Sequence, residues 1–332
     1  MLTFLLSLSA GREGLMRSAW LMLALPLTAL PASAWGQAID YATIEIRTDK
    51  VGPNLYMLSG SAGLDPAHEV AAGGRIGVLA GPDGVFRGDA QYAQLADKVL
   101  AAVRRISPAP IRYLVNTHIH RDHTGGNAYF AKLGATILAR AELREEMGRP
   151  RTIDGAPAIE AANFPVVTYG MGEPLQFHMN GEIVHLIPIR AAHTGGDTSI
   201  RFEHANAIMI GDYYRNFGYP FIDINNGGSV KGMLEALDFT YKLAGPDTRL
   251  IPGHGTTINR NDLIPYRDMI MAVEASVQQL VAQGKSEQEV IAAHPTGPFD
   301  SKVPGGLLPA AGAGTSADRF VSELYRELKA GR

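Results

Sequence analysis

Apolar and polar positions along the 332-residue chain fall into two rhythms: short runs of strand period and longer stretches of helical period. Strands are expected at 43–47, 55–58 and 77–80. The turn Pro82-Asp83-Gly84 then leads into Val85 and Phe86. Tyr92, Leu95, Val99, Val103 and Ile106 recur at helical spacing, Pro110 stops that helix, and 111–115 reads as a strand. A short helix at 127–133, a strand at 135–139 and a charged helix from Ala141 come next, and 149–164 reads as loop. The following run is rich in strands, at 175–179, 183–189, 199–203 and 207–211. Its turns fall at Asn180-Gly181, a strong hairpin signal, and at His204-Ala205-Asn206. Helices close the chain at 230–243, at 263–281 and after Ser316, which is suited to cap the last one; Phe320, Val321, Leu324 and Leu328 form its apolar side.

Strands interleaved with helices predict a layered α/β domain. Neither a linker nor a repeat divides the pattern, so one domain over 35–332 is expected. With 46% hydrophobic and 19% charged residues, the chain has ample material for a core, which excludes a disordered protein. The formal net charge is -3 and no Lys/Arg block stands out, which argues against a nucleic-acid partner. There is no cysteine, so any metal must sit on His, Asp or Glu.

The first residues form a separate signal. The apolar run 19–30 is too short to span a membrane; Arg17 precedes it and Ala32-Ser33-Ala34 offers a cleavage site. Residues 1–34 are therefore expected to be a signal peptide, with Met16 as an alternative start. This predicts a periplasmic or secreted protein with no stable membrane anchor after cleavage.

Histidine placement carries the chemistry. Three of the ten histidines lie in Thr117-His118-Ile119-His120-Arg121-Asp122-His123-Thr124-Gly125-Gly126. Alternation at a strand end would put the His118 and His120 imidazoles on one side, with Asp122 and His123 turned to a second position. Zinc suits imidazole and carboxylate donors. One loop cannot supply two metals, and further candidates sit at strand ends: His193 before Thr194-Gly195-Gly196, Asp212 after Gly211, and His254 between Gly253 and Gly255. His68, His178, His185, His204 and His294 have no such context and read as structural.

His118-x-His120-x-Asp122-His123 followed by His193, Asp212 and His254 resembles the metallo-β-lactamase superfamily over nearly the whole chain after the leader. The resemblance implies a four-layer αβ/βα sandwich holding two Zn2+ ions per chain at one edge between two sheets. It assigns His118, His120 and His193 to the first zinc, Asp122, His123 and His254 to the second, and Asp212 to a bridge between them. It implies that water activated between the metals opens a carbonyl-containing small molecule, with Asp122 assisting the leaving group. Asp89 matches a carboxylate that orients a ligand histidine, or else caps a helix. Tyr213 and Tyr214 are placed to supply an oxyanion donor, or else pack in the core. Arg121 pairs with a neighbouring carboxylate or meets an anionic substrate, and 221–228 is positioned to line the pocket. A β-lactam is the leading substrate, with a lactone, ester or thioester as the alternative, because Asp212 stands where zinc β-lactamases carry Cys or Ser.

Overall fold

The structure, a computed structural model, describes residues 40–60, 73–149, 159–310 and 314–331. The expected leader lies outside these residues. No helix among the described residues is long and apolar enough to cross a membrane.

Among the described residues, twelve strands form two sheets. The first runs β1 (Arg47–Lys50), β2 (Leu55–Ser59), β3 (Ile76–Gly81), β4 (Gly84–Gly88), β5 (Ile111–Val115), β6 (Thr136–Arg140) and β7 (Val167–Tyr169) in sequence order. It is antiparallel from β1 to β4 and parallel from β4 to β7. The parallel half needs helical crossovers, which are α1 (Ala96–Ile106) between β4 and β5, then α2 (Arg121–Thr124) and α3 (Asn127–Lys132) before β6, and α4 (Ala141–Gly148) after it. The second sheet is ordered β12 (Arg249–His254), β11 (Ala207–Arg215), β10 (Thr198–Phe202), β9 (Glu182–Pro188), β8 (Leu175–Met179). Only its β11–β12 pair is parallel. The crossover between them contains α5 (Val230–Leu243), and α6 (Leu263–Ala282), α7 (Glu287–Ala292) and α8 (Ser316–Lys329) come after β12.

Strand period sorts the side chains into layers. Leu79, Phe86, Val115 and Leu138 of the first sheet meet Leu186, Ile200, Phe202, Met209 and Ile251 of the second in one buried cluster. Phe86 anchors it edge-on to Phe202, ring centroids 6.1 Å apart. One residue out of phase on β11, Ile208 and Ile210 face the other way, onto Met233, Leu237, Ile270, Val273, Phe320 and Leu324 of the helices. The helices α3 and α4 lie against the outer side of the first sheet, giving the expected helix–sheet–sheet–helix stack.

Most departures from the sequence expectation are local. The strand expected at 43–47 begins only at Arg47, because Lys98 Nζ takes the carbonyls of Tyr41, Ala42 and Ile44 at 2.9, 2.7 and 2.7 Å. Thr315, not Ser316, caps α8; Ser316 Oγ instead accepts from Tyr219 N at 2.9 Å. Three elements carried too weak a period to read: β7 is only three residues, β12 contains Pro252 and Gly253, and α7 has one buried residue, Val290.

Candidate metal centre

Four chain segments end at the same edge of the sandwich. Strand β5 stops at Val115, earlier than the His118–His120 alternation implied, and 116–120 is a loop. The loop forms because Asp89 captures it: Asp89 Oδ1 accepts from Thr117 N and Oδ2 from Thr117 Oγ1, both at 2.7 Å. Asp89 holds this position with φ +64, a costly conformation for a non-glycine residue. It caps no helix, since the first helical turn beyond it starts at Ala93.

On the second sheet, β11 bulges at Gly211, whose φ of +57 turns Asp212 toward the loop. Its neighbour β12 delivers His254 at its end, and the loop after β9 delivers His193. Glycines let these parts approach: a Cβ on Gly253 would lie 1.9 Å from Asp212 Oδ1, and one on Gly74 would lie 2.2 Å from His123 Cε1.

The seven expected donors converge into three overlapping groups, His118/His120/His193, His118/His123/Asp212 and Asp122/His123/His254, each with donor atoms within 4.8 Å of one another. His120 Nδ1 lies 3.0 Å from His193 Nε2, and His254 Nε2 lies 2.9 Å from Asp122 Oδ2. Asp212 spans the groups. Its Oδ2 is 3.9, 3.8 and 3.2 Å from Nε2 of His118, His193 and His254, and its Oδ1 is 3.4 Å from His123 Nε2.

The nitrogens turned away from the cluster are fixed. His123 Nδ1 meets Asp89 Oδ2 at 2.8 Å, His120 Nε2 meets Asp223 Oδ2 at 2.7 Å, and His193 Nδ1 meets the Phe221 carbonyl at 2.7 Å. Such partners set the tautomer and aim the opposite ring nitrogen. By contrast, His118 Nε2, His123 Nε2 and Asp212 Oδ1 are buried with no hydrogen-bond partner. Leaving buried polar atoms unpaired costs about 1–3 kcal/mol each, so three converging on one point mark a place for a cation.

Charge agrees. Burial, helped by neighbouring imidazoles, holds His118 well below its ordinary pKa and His193 down at about 3, so both stay neutral with a lone pair to donate. Burial also opposes a proton on His123, yet Asp122, Asp89 and Asp212 outweigh it and raise that pKa to about 9. Asp122 and Asp212 resist burial and stay ionised because His123 and His254 face them. The pocket is therefore electron-rich in both charge and lone pairs, and the donor set fits divalent zinc.

Tyr213 is a correction. Its hydroxyl is buried between Ser199 Oγ and Thr240 Oγ1, 2.8 Å from each, in the layer between β11 and α5. The residue after Asp212 faces the opposite side of the strand, so Tyr213 is a core residue and not an oxyanion donor. Tyr214 packs on Tyr266, ring centroids 4.6 Å apart. Arg121 is exposed and forms no ion pair among the described residues. His185, His204 and His294 bond to Glu203, the Gly181 carbonyl and Asp300, as structural histidines do; His68 lies outside the described residues.

Sequence reasoning missed Asp223 as an orienting group, reading it only within the 221–228 pocket wall. It also missed Tyr92, taken as a helix-face residue. Burial and then the Asp122 charge raise the pKa of that phenol. The largest omission is the polar side of α8, a helix expected for its apolar side alone. Glu323 Oε2 accepts from Ile222 N at 2.9 Å, Glu327 Oε2 from Val230 N at 2.8 Å, and the Arg319 guanidinium lies 4.4 Å from the Phe221 ring centre. Phe221 in turn stacks on His120 at 5.4 Å. Thus α8 pins both ends of the segment that orients two ligand histidines.

This sandwich and its histidine–aspartate edge define a metal-dependent hydrolase. Residues 82–262 match the Metallo-beta-lactamase superfamily, and the chain belongs to that superfamily. Solved structures share the fold at low identity. A metallo-beta-lactamase from Pontibacter korlensis superposes with a TM-score of 0.56 at 13% identity, over 68% of this chain and 99% of that one. The DIM-1 metallo-beta-lactamase gives 0.54 at 14%, over 68% and 97%. The stereoselective inverting sec-alkylsulfatase Pisa1 from Pseudomonas sp. gives 0.58 at 17%, over 85% of this chain but 50% of that one.

Proposed function

We propose that this protein is an exported dinuclear zinc hydrolase that opens a carbonyl-containing small molecule, a β-lactam first. The observation that carries the reading is the position of Asp212, whose two oxygens face all four of His118, His193, His123 and His254. One carboxylate shared in this way suits a pair of cations better than one. Divalent zinc, when bound, supplies activated water near neutral pH and polarises the carbonyl.

The chain's own residues supply the rest. His118, His120 and His193 would hold one ion; Asp122, His123 and His254 would hold the other. Asp89 and Asp223 keep His123 and His120 aimed. Asp122 accepts at Oδ2 from His254 and is positioned to hold a proton bound for the leaving group. Phe221 stacks on His120 and shields that side from water. Every donor of the site is an imidazole or a carboxylate, so no covalent side-chain nucleophile is required.

A second reading, ester or lactone hydrolysis, is favoured by one feature: the shared donor is the hard carboxylate of Asp212. Metal analysis and a substrate panel test both. The expected result is about two zincs per chain and turnover of penicillin or carbapenem that His118→Ala abolishes. Turnover of lactones or thioesters without lactams overturns the β-lactam assignment. A stoichiometry of one or none overturns the dinuclear one. The export proposal rests on the 17–34 sequence, and recovery of a mature chain starting after Ala34 from the periplasm or medium tests it.

A further inference from the structure

Behind β11 lies a cavity of about 330 Å3, walled by Tyr214, Arg215, Tyr266, Met269, Phe299 and Val303. Four of the six come from α6 and the 297–303 turn, beyond the stretch that matches the superfamily. The wall is mainly apolar, and its volume is at the lower end of the range typical of ligand pockets. Asn216 and Asp262 also line it, and both are engaged, Asn216 Oδ1 accepting from Thr256 N and Asp262 Oδ2 from Asn259 N, each at 2.9 Å. Arg215 Nε is buried with no hydrogen-bond partner, and the buried Tyr266 oxygen lies at the Arg215 backbone with its own O–H unmatched by an acceptor. The exposed Lys302 adds a second positive charge at the rim. The pocket is open to solvent on one side, yet a donor beside it is buried without a partner, which is uncommon in native proteins.

We propose that this cavity is a binding pocket for an amphipathic anion, an unbranched apolar chain whose carboxylate is taken by Arg215 and Tyr266. A carboxylate offers acceptors to both orphan donors, and a guanidinium is the side chain best shaped to receive it. A flexible chain matches the aromatic and aliphatic wall. The pocket adjoins the metal edge, because Arg215 pairs in register with His254 across β11 and β12. The proposal does not depend on which bond the metal site cleaves.

Calorimetry of straight-chain carboxylates, hexanoate to dodecanoate, on the zinc-loaded protein tests it without any turnover. Affinity is expected to rise about three- to fourfold per added methylene until the cavity is full. Met269→Trp fills the space and should abolish the chain-length dependence; Val303→Phe does the same from the opposite wall, should the first variant fold poorly. Arg215→Met should weaken decanoate at least tenfold while leaving decanol unchanged. His118→Ala should leave decanoate binding intact. Chain-length-independent binding, or binding lost in His118→Ala but indifferent to Met269→Trp and Val303→Phe, would show the metal edge holding the carboxylate and overturn the pocket.

Discussion

The two halves of the metal centre are built differently. The His118/His120/His193 half is three imidazoles, two of them held neutral by burial. The Asp122/His123/His254 half is dominated by carboxylates that pull His123 up to about 9. Their supports differ too. His123 is fixed by Asp89, 34 residues away on the adjoining strand end of the same sheet. His120 and His193 are fixed by Asp223 and Phe221, on a segment whose backbone is held by Glu323 and Glu327 of α8. One half is thus braced within its own sheet, and the other is braced by the end of the chain. The His118/His120/His193 half should therefore depend on distant packing, whereas the Asp122/His123/His254 half should depend on local charge.

Removing the shared donor should erase the distinction. Asp212→Ala is expected to reduce bound metal from about two ions to at most one, with hydrolysis falling to background; metal analysis beside the substrate panel reads both. Next in size, removing each orienting carboxylate should separate the halves. Asp223→Ala is expected to weaken metal at the His120 half, and Asp89→Ala at the His123 half, each by about 10–100-fold in chelator competition. If both variants weakened the same ion, the comparison would fail.

The brace from α8 should appear in pH dependence. Burial raises the folded pKa of Glu323 to about 8 from an ordinary 4.5, despite Arg319 nearby. A carboxyl raised on folding is stabilising below its unfolded pKa, and that contribution is lost as pH climbs from about 4.5 through 8. Thermal melts of the metal-free protein should therefore lose several degrees across that window, and Glu323→Gln should flatten the loss. The smallest effect is expected for Tyr213→Phe, which leaves Ser199 and Thr240 short of a shared partner. About 1–2 kcal/mol of stability should go, with kcat unchanged; a fall in kcat would return Tyr213 to the site.

Much of this architecture was legible because strong local signals coincide with it. Ile111–Val115 and Val230–Leu243 carry clean periods, and both elements have the expected bounds. All seven donors could be named because His and Asp beside glycines at strand ends are unusual company. Tyr213 shows the limit. Strand alternation turns the residue after Asp212 to the opposite side, but the bulge at Gly211 hides that phase from the sequence. Asp223 shows another limit, since nothing local separates an aspartate that turns to His120 from one that merely caps a turn. It does both, accepting from Asn226 N at 3.1 Å as well.

By itself the sequence determined which chemistry was possible, with no thiol, an excess of imidazole and carboxylate at strand ends, and an alternation of periods that demands layers. Those properties reside in residue types and their near neighbours, so order along the chain suffices to express them. Tertiary structure alone decided which ring nitrogen faces inward, that Glu323 and Glu327 anchor the segment behind His120, and that Arg215 borders a cavity. Those facts depend on side chains about a hundred residues apart meeting within hydrogen-bonding distance, and only the packing of one layer on another fixes such encounters.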